Sequence, residues 1–130
     1  MAADFRYRQL GYLALNVTDI EASTRFLVDV FGMDQAGEGP DGARFFRVGP
    51  HHHDVMLTQA EIPAFARSSW ELETPEDLDR AFAHYQRLGL APQWVAGDET
   101  RALGLERAFR IVEPQLRTIW EYYDRMSYIS

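Results

Sequence analysis

Three consecutive histidines, His51, His52 and His53, and the carboxylates Glu71, Glu73 and Glu121 are residue types that could hold a divalent cation or move a proton. Imidazole nitrogen and carboxylate oxygen together suit a metal with open coordination positions, which polarises substrate oxygens. Tyr12 adds a phenol able to hydrogen-bond a substrate oxygen or stack on an aromatic ring. Cysteine is absent, which excludes thiolate nucleophiles, disulfides and cysteine-held clusters. The glycines are separated by turn and strand residues rather than gathered into a phosphate loop, and no serine sits in a nucleophile-elbow pattern.

The elements that must position these residues occur twice. The segment from Gly11 to Asp19, with an amphipathic stretch ending at Phe31-Gly32-Met33, recurs 57 positions later from Ser68 to Glu76, with a stretch ending at Leu88-Gly89-Leu90. Residues 10–17 set Leu13, Leu15 and Val17 against Tyr12, Ala14 and Asn16, the alternation of a half-buried strand. Thr18-Asp19-Ile20-Glu21 reads as a capping box opening a helix. Its buried stripe is Ile20, Ser23, Phe26, Leu27, Val30 and Phe31, and Gly32 is its left-handed stop. Strands over residues 43–48 and about 53–59 follow, around a Gly49-Pro50 break. The second copy repeats the order: a strand over 69–74, a helix opened by Thr74 and Pro75 with the stripe Leu78, Ala81, Phe82, Tyr85 and Leu88, and strands over 92–96, 107–112 and 117–123. Its middle is about seven residues longer than that of the first.

A single domain is expected over residues 1–130, with modules of about 8–60 and 66–124. Thirteen basic against twenty acidic residues give a net charge of -7, and the arginines are scattered, which argues against a nucleic-acid partner. No apolar run resembles a signal peptide or a membrane span. A soluble, cytoplasmic protein is therefore expected.

The run Leu10-Gly11-Tyr12 through Asn16-Val17-Thr18-Asp19, then Arg25-Phe26-Leu27 and Val30-Phe31-Gly32-Met33, resembles the vicinal oxygen chelate superfamily of glyoxalases, bleomycin resistance proteins and extradiol dioxygenases. Phe46-Arg47-Val48, Glu76 through Ala81, Gly89-Leu90-Ala91-Pro92 and Glu113-Pro114 through Tyr123 fall in that family's order. The likeness is greatest to the amino-terminal, metal-free domain of type I extradiol catechol dioxygenases. It implies an α+β fold in which two βαβββ modules form one open, cup-shaped mixed β-sheet with the helices outside.

The resemblance also implies four inward ligand positions, which here are Tyr12, about Leu57, Ser69 and Glu121. Only Glu121 ligates a cation well, so no cofactor is expected. The function implied is binding of a small, aromatic or catechol-like molecule at a degenerate metal site. Its contacts would be Tyr12, Asn16, His53, Ser69, Glu71 and Glu121. The alternative is an extradiol ring-cleavage dioxygenase or glyoxalase-type lyase. It would use Fe(II) or another divalent metal on a displaced His53, Glu71 and Glu121 set or on a site completed by a homodimer, with Glu121 or Tyr12 as catalytic group. A purely structural role, with the cup filled by its own side chains, is the third.

Bland readings accompany these. His53 shares parity with Val55 and Leu57 and would point inward, whereas the histidine run by itself reads as the solvated start of a strand. Tyr12 reads as a plug, His84 as a surface residue, and Glu121 as a carboxylate neutralised by Arg107 or Arg117. Trp70, Leu72, Trp120 and Tyr122 point toward the helices as core.

Overall fold

A computed structural model describes residues 3–127. Eight strands form one mixed sheet: β1 (Tyr7–Val17), β2 (Asp34–Glu38), β3 (Arg44–Arg47), β4 (Val55–Gln59), β5 (Ala64–Leu72), β6 (Gln93–Trp94), β7 (Ala108–Val112) and β8 (Ile119–Tyr123). Their order across the sheet is β2-β3-β4-β1-β5-β8-β7-β6, which places the two modules side by side with β1 and β5 antiparallel at the junction. Each central strand pairs in parallel with the last strand of its own module, β1 with β4 and β5 with β8. The two βαβββ modules read from the sequence are both present.

The helix of the second module, α2 (Pro75–Arg87), begins as expected. Thr74 Oγ1 accepts from the Asp77 amide at 3.0 Å, and Pro75 occupies the first turn, where no donor is needed. Leu78 and Ala81 are fully buried against Leu72, Phe109 and Tyr122, with Trp70, Trp120, Phe82 and Tyr85 packed around them. Each such buried apolar side chain contributes roughly 1.5–3 kcal/mol. His84 belongs to this layer too: it is buried with its ring 5.6 Å from that of Phe5, which corrects its reading as a surface residue.

The first module's helix, α1 (Ile20–Arg25), differs from expectation. Asp19, not Thr18, is its cap, accepting from the Ala22 amide at 3.0 Å, and Glu21 pairs with Arg44 instead of closing a capping box. From Phe26 to Val30 the chain widens into a π-helical turn in which the Phe31 amide donates to the Phe26 carbonyl at 2.9 Å. The wider turn rotates the apolar stripe away from the sheet. Phe26, Val30 and Phe31 are consequently exposed, while Leu27 alone of that group packs toward Met33, Phe46 and Leu57. Gly32 and Gly89 end the two helical stretches with φ of +86° and +77°, as the stop signals require.

The extra residues in the middle of the second module form a short helix that sequence patterning did not reveal, α3 (Gly97–Ala102). Leu103 and Leu105 follow it and enter the opposite face of the sheet, where they meet Tyr12, Ala14, Phe45, Met56 and Tyr123. The cup is thus closed by its own side chains. Among the described residues, no helix is long and apolar enough to cross a membrane.

Candidate functional site

Alternation along β1, β5, β7 and β8 delivers Tyr12, Arg67, Ser69, Arg110 and Glu121 to the concave face. Tyr12 pairs with Ser69 across the module junction, and Ser69 with Glu121. Glu121 is 0% exposed, and every side of its carboxylate is engaged. Oε2 accepts from the Tyr12 phenol and from Ser69 Oγ, both at 2.6 Å. Oε1 accepts from Arg110 Nε at 2.9 Å and lies 3.4 Å from Arg67 Nε. Arg67 also donates twice to the Tyr12 oxygen, at 3.0 and 2.8 Å, and Arg110 reaches outward to Glu99 on α3 at 2.7 Å. Burial first, and then the Glu121 carboxylate, hold the Tyr12 phenol far above its ordinary pKa, so the phenol acts as a donor.

The neutralising arginines are therefore Arg67 and Arg110. Arg107 instead pairs with Asp79 at 2.9 Å, and Arg117 stands exposed with φ of +60° in the turn before β8. Two signals point to the true partners. Arg67 shares strand parity with Ser69, and the β7–β8 hairpin sets Arg110 directly opposite Glu121.

His53 does enter the cup, against its reading as a solvated residue: it is 0% exposed. Its ring stacks on Phe45 at 4.2 Å and meets Tyr12 at 4.3 Å. Its Nδ1 faces His52 Nδ1 at 3.0 Å, and its buried Nε2 has no hydrogen-bond partner. Burial, then His52 and Arg67, lower its pKa to about 3, so the ring is neutral in neutral solution. Parity with Leu57 is not what brings it inward. Val55 and Leu57 face α1, Met56 faces the cup, and His53 turns inward from the bend that precedes β4. The ligand position placed at Leu57 consequently lies on the wrong face, and the cup-facing residue beside it is a methionine.

Glu71 lies elsewhere, at the rim. It accepts from Gln9 Nε2 at 2.9 Å and sits 3.6 Å from Arg8 Nε. Together with His51, Leu105, Asp124 and Met126 it lines a cleft of about 560 Å³ that opens to solvent. Asn16 is half-buried toward the far end of β1, paired with Thr58 and Ala64. The structure thus gathers Tyr12, Ser69, Glu121 and His53 in the closed cup, and leaves Glu71 and Asn16 outside it.

A metal does not fit this donor set. His53, Glu71 and Glu121 do not converge, and among the described residues no three His, Asp or Glu side chains form a site for one. Ligation by Glu121 would require breaking bonds to a phenol, a hydroxyl and a guanidinium, because a carboxylate has about four acceptor sites and these are taken.

Comparison with known proteins gives the family. A 1,2-dihydroxynaphthalene dioxygenase of Sphingobium xenophagum is 30% identical over 103 residues, covering 76% of this chain and 34% of that protein. A manganese-dependent 2,3-dihydroxybiphenyl 1,2-dioxygenase of Geobacillus genomosp. 3 is 25% identical over 117 residues, covering 89% and 36%. The structure of a variant of homoprotocatechuate 2,3-dioxygenase from Brevibacterium fuscum superposes with a TM-score of 0.84 at 27% identity, over 97% of this chain and 34% of that one. The chain spans about a third of the length of these relatives. Residues 9–103 match the superfamily described as Glyoxalase/Bleomycin resistance protein/Dioxygenase, and the eight-stranded sheet of paired modules is the fold of the dioxygenase structures, so the chain belongs to that superfamily.

Proposed function

We propose that this chain is a metal-independent small-molecule-binding domain, in which the closed cup is structural and the ligand is taken at the cleft on its rim. The observation that supports this reading is the state of Glu121, whose two oxygens already serve Tyr12, Ser69, Arg110 and Arg67. The rim cleft, at about 560 Å³, has the size of small-ligand sites in general. In this reading Tyr12 and Ser69 hold the carboxylate, His53 fills the space between Phe45 and Tyr12, and Glu71 is the one sequence-derived contact residue that meets the ligand. The protein acts in the cytoplasm as a homodimer, the exposed apolar face of α1 and its π-turn supplying the contact.

A second reading, a metal-dependent extradiol ring-cleavage dioxygenase or glyoxalase-type lyase, is favoured by the names of the relatives, one of which is a manganese-dependent enzyme. It requires ligands supplied from outside the described residues, by a second subunit or a further domain. Elemental analysis after anaerobic loading with Fe(II) or Mn(II), joined to oxygen uptake with a panel of catechols, separates the two. The proposal expects substoichiometric metal and no oxygen uptake. A metal at full occupancy would overturn it.

A further inference from the structure

The rim cleft is chemically one-sided. Four carboxylates line it, Glu71, Glu73, Glu106 and Asp124, against the guanidinium groups of Arg8 and Arg125. Arg8 is already committed, donating to the Glu73 carbonyl at 3.0 Å and lying 3.6 Å from Glu71. One carboxylate is left short: Asp124 Oδ1 is buried without a hydrogen-bond partner. Burial pushes the Asp124 carboxyl above its ordinary pKa even though Arg107 and Arg125 pull the other way. An oxygen that has lost its water and gained no donor is a costly feature unless something else satisfies it. Beside it the lining turns apolar, where Leu105 and Met126, both buried, pair with each other as an isolated bridge.

We propose that this cleft binds a small organic cation, an amine carrying an apolar or aromatic body, with Asp124 as its anionic anchor and Leu105 and Met126 beneath the body. An ammonium brings three donors and no acceptor, which suits a site rich in carboxylate oxygen and short of donors. Methionine adapts its shape to a flat ring and contacts it favourably through sulfur. An aromatic carboxylate would instead face four anions, so the cleft selects against the acidic ring compounds of similar size. The proposal rests on the reading of the cleft as the ligand site and adds the charge of what enters it.

Calorimetric titration of the full chain with 2-phenylethylamine, phenylacetate and catechol tests it. Saturable binding of 2-phenylethylamine is expected, with no heat from phenylacetate and weaker binding of catechol. Asp124→Asn should weaken the amine about tenfold or more, as expected on losing a charged hydrogen bond. Glu73→Gln, at an exposed position, should weaken it only a few-fold and more at low salt than at high. A melting temperature for Asp124→Asn no lower than that of the parent would show that the fold is intact. Phenylacetate or catechol binding as tightly as the amine would overturn the cation assignment while leaving a ligand-binding cleft in place. Undiminished amine binding by Asp124→Asn would do the same. Failure of all three probes to bind would overturn both the assignment and the cleft as ligand site, whereas the metal-loading result bears on the closed cup alone.

Discussion

Glu121 has no contact with water, so its stability rests on its neighbours. Removing its charge leaves two guanidinium groups facing a neutral side chain in a closed space, and breaking a buried pair from one side costs about 3–5 kcal/mol. Glu121→Gln should therefore lower the unfolding free energy by roughly that amount in urea titration, and Tyr12→Phe by about 1–3 kcal/mol. A Glu121→Gln variant as stable as the parent would mean that the network carries no structural weight. His53 gives a second prediction, in pH. Its folded pKa of about 3 lies below the ordinary 6.5, so below pH 6.5 the unfolded chain binds the proton and the folded one does not. Stability is then fully present above pH 6.5 and is lost as the pH falls toward 3, at about 1.4 kcal/mol per pH unit or roughly 2 kcal/mol by pH 5. His52, also lowered by its burial, adds to the same slope. His53→Phe keeps the stacking on Phe45 and removes the titrating nitrogen, so its stability curve between pH 7 and pH 5 should be flatter than that of the parent.

The elements show which features a sequence can reveal. The strand of Tyr12, the cap at Thr74 and the stripe of α2 were legible because each rests on a local rule: alternation, a hydroxyl before proline, a 3.6-residue period. The inward position of Ser69 and Glu121 followed from that alternation. Met56 and Leu57 were not separable, because two adjacent apolar residues leave the facing of a strand undetermined. The loss of α1's buried stripe was not legible either: a π-turn inserts one residue into the turn without a proline or glycine to announce it, and every exposed residue it creates still looks like core. α3 escaped because six residues with one buried threonine carry no apolar period, although the surplus length of the second module marked its place. What α3 does is closure, through the residues behind it. Leu103 is fully buried against the cup cluster, so Leu103→Ala should cost about 2–5 kcal/mol and is expected to lower the melting temperature without changing the far-ultraviolet spectrum. Thr74→Ala, by contrast, removes one cap and should cost about 1 kcal/mol.

At the scale of the molecule the two modules are alike in strand order and unlike in how their outer faces are covered. α2 lies over its strands through four buried residues, Asp77, Leu78, Ala81 and His84, whereas the helical stretch of the first module buries none. What remains uncovered is an apolar groove of about 380 Å³ between α1 and the strands, lined by Leu15, Val17, Leu27 and Leu57. Beside it project Phe31 at 64% and Val30 at 72% exposure. Projecting rings and a receiving groove on one surface are self-complementary, the condition for a two-fold contact in which the same patch serves both subunits. A standard interface needs about 800 Å² from each partner, so the patch would form the apolar centre and the charged residues around it, Glu21, Arg25 and Asp29, the rim. The net charge of -7 works against association of two copies, so salt should favour the dimer if the apolar centre drives it. Sedimentation over a concentration series should show a dimer that strengthens with added salt. Phe31→Glu should weaken it by about 2 kcal/mol or more, near thirtyfold in dissociation constant, while leaving the monomer's melting temperature unchanged. A parent protein that sediments as a monomer at every concentration would leave this face for another partner and remove the homodimer from the reading of the chain.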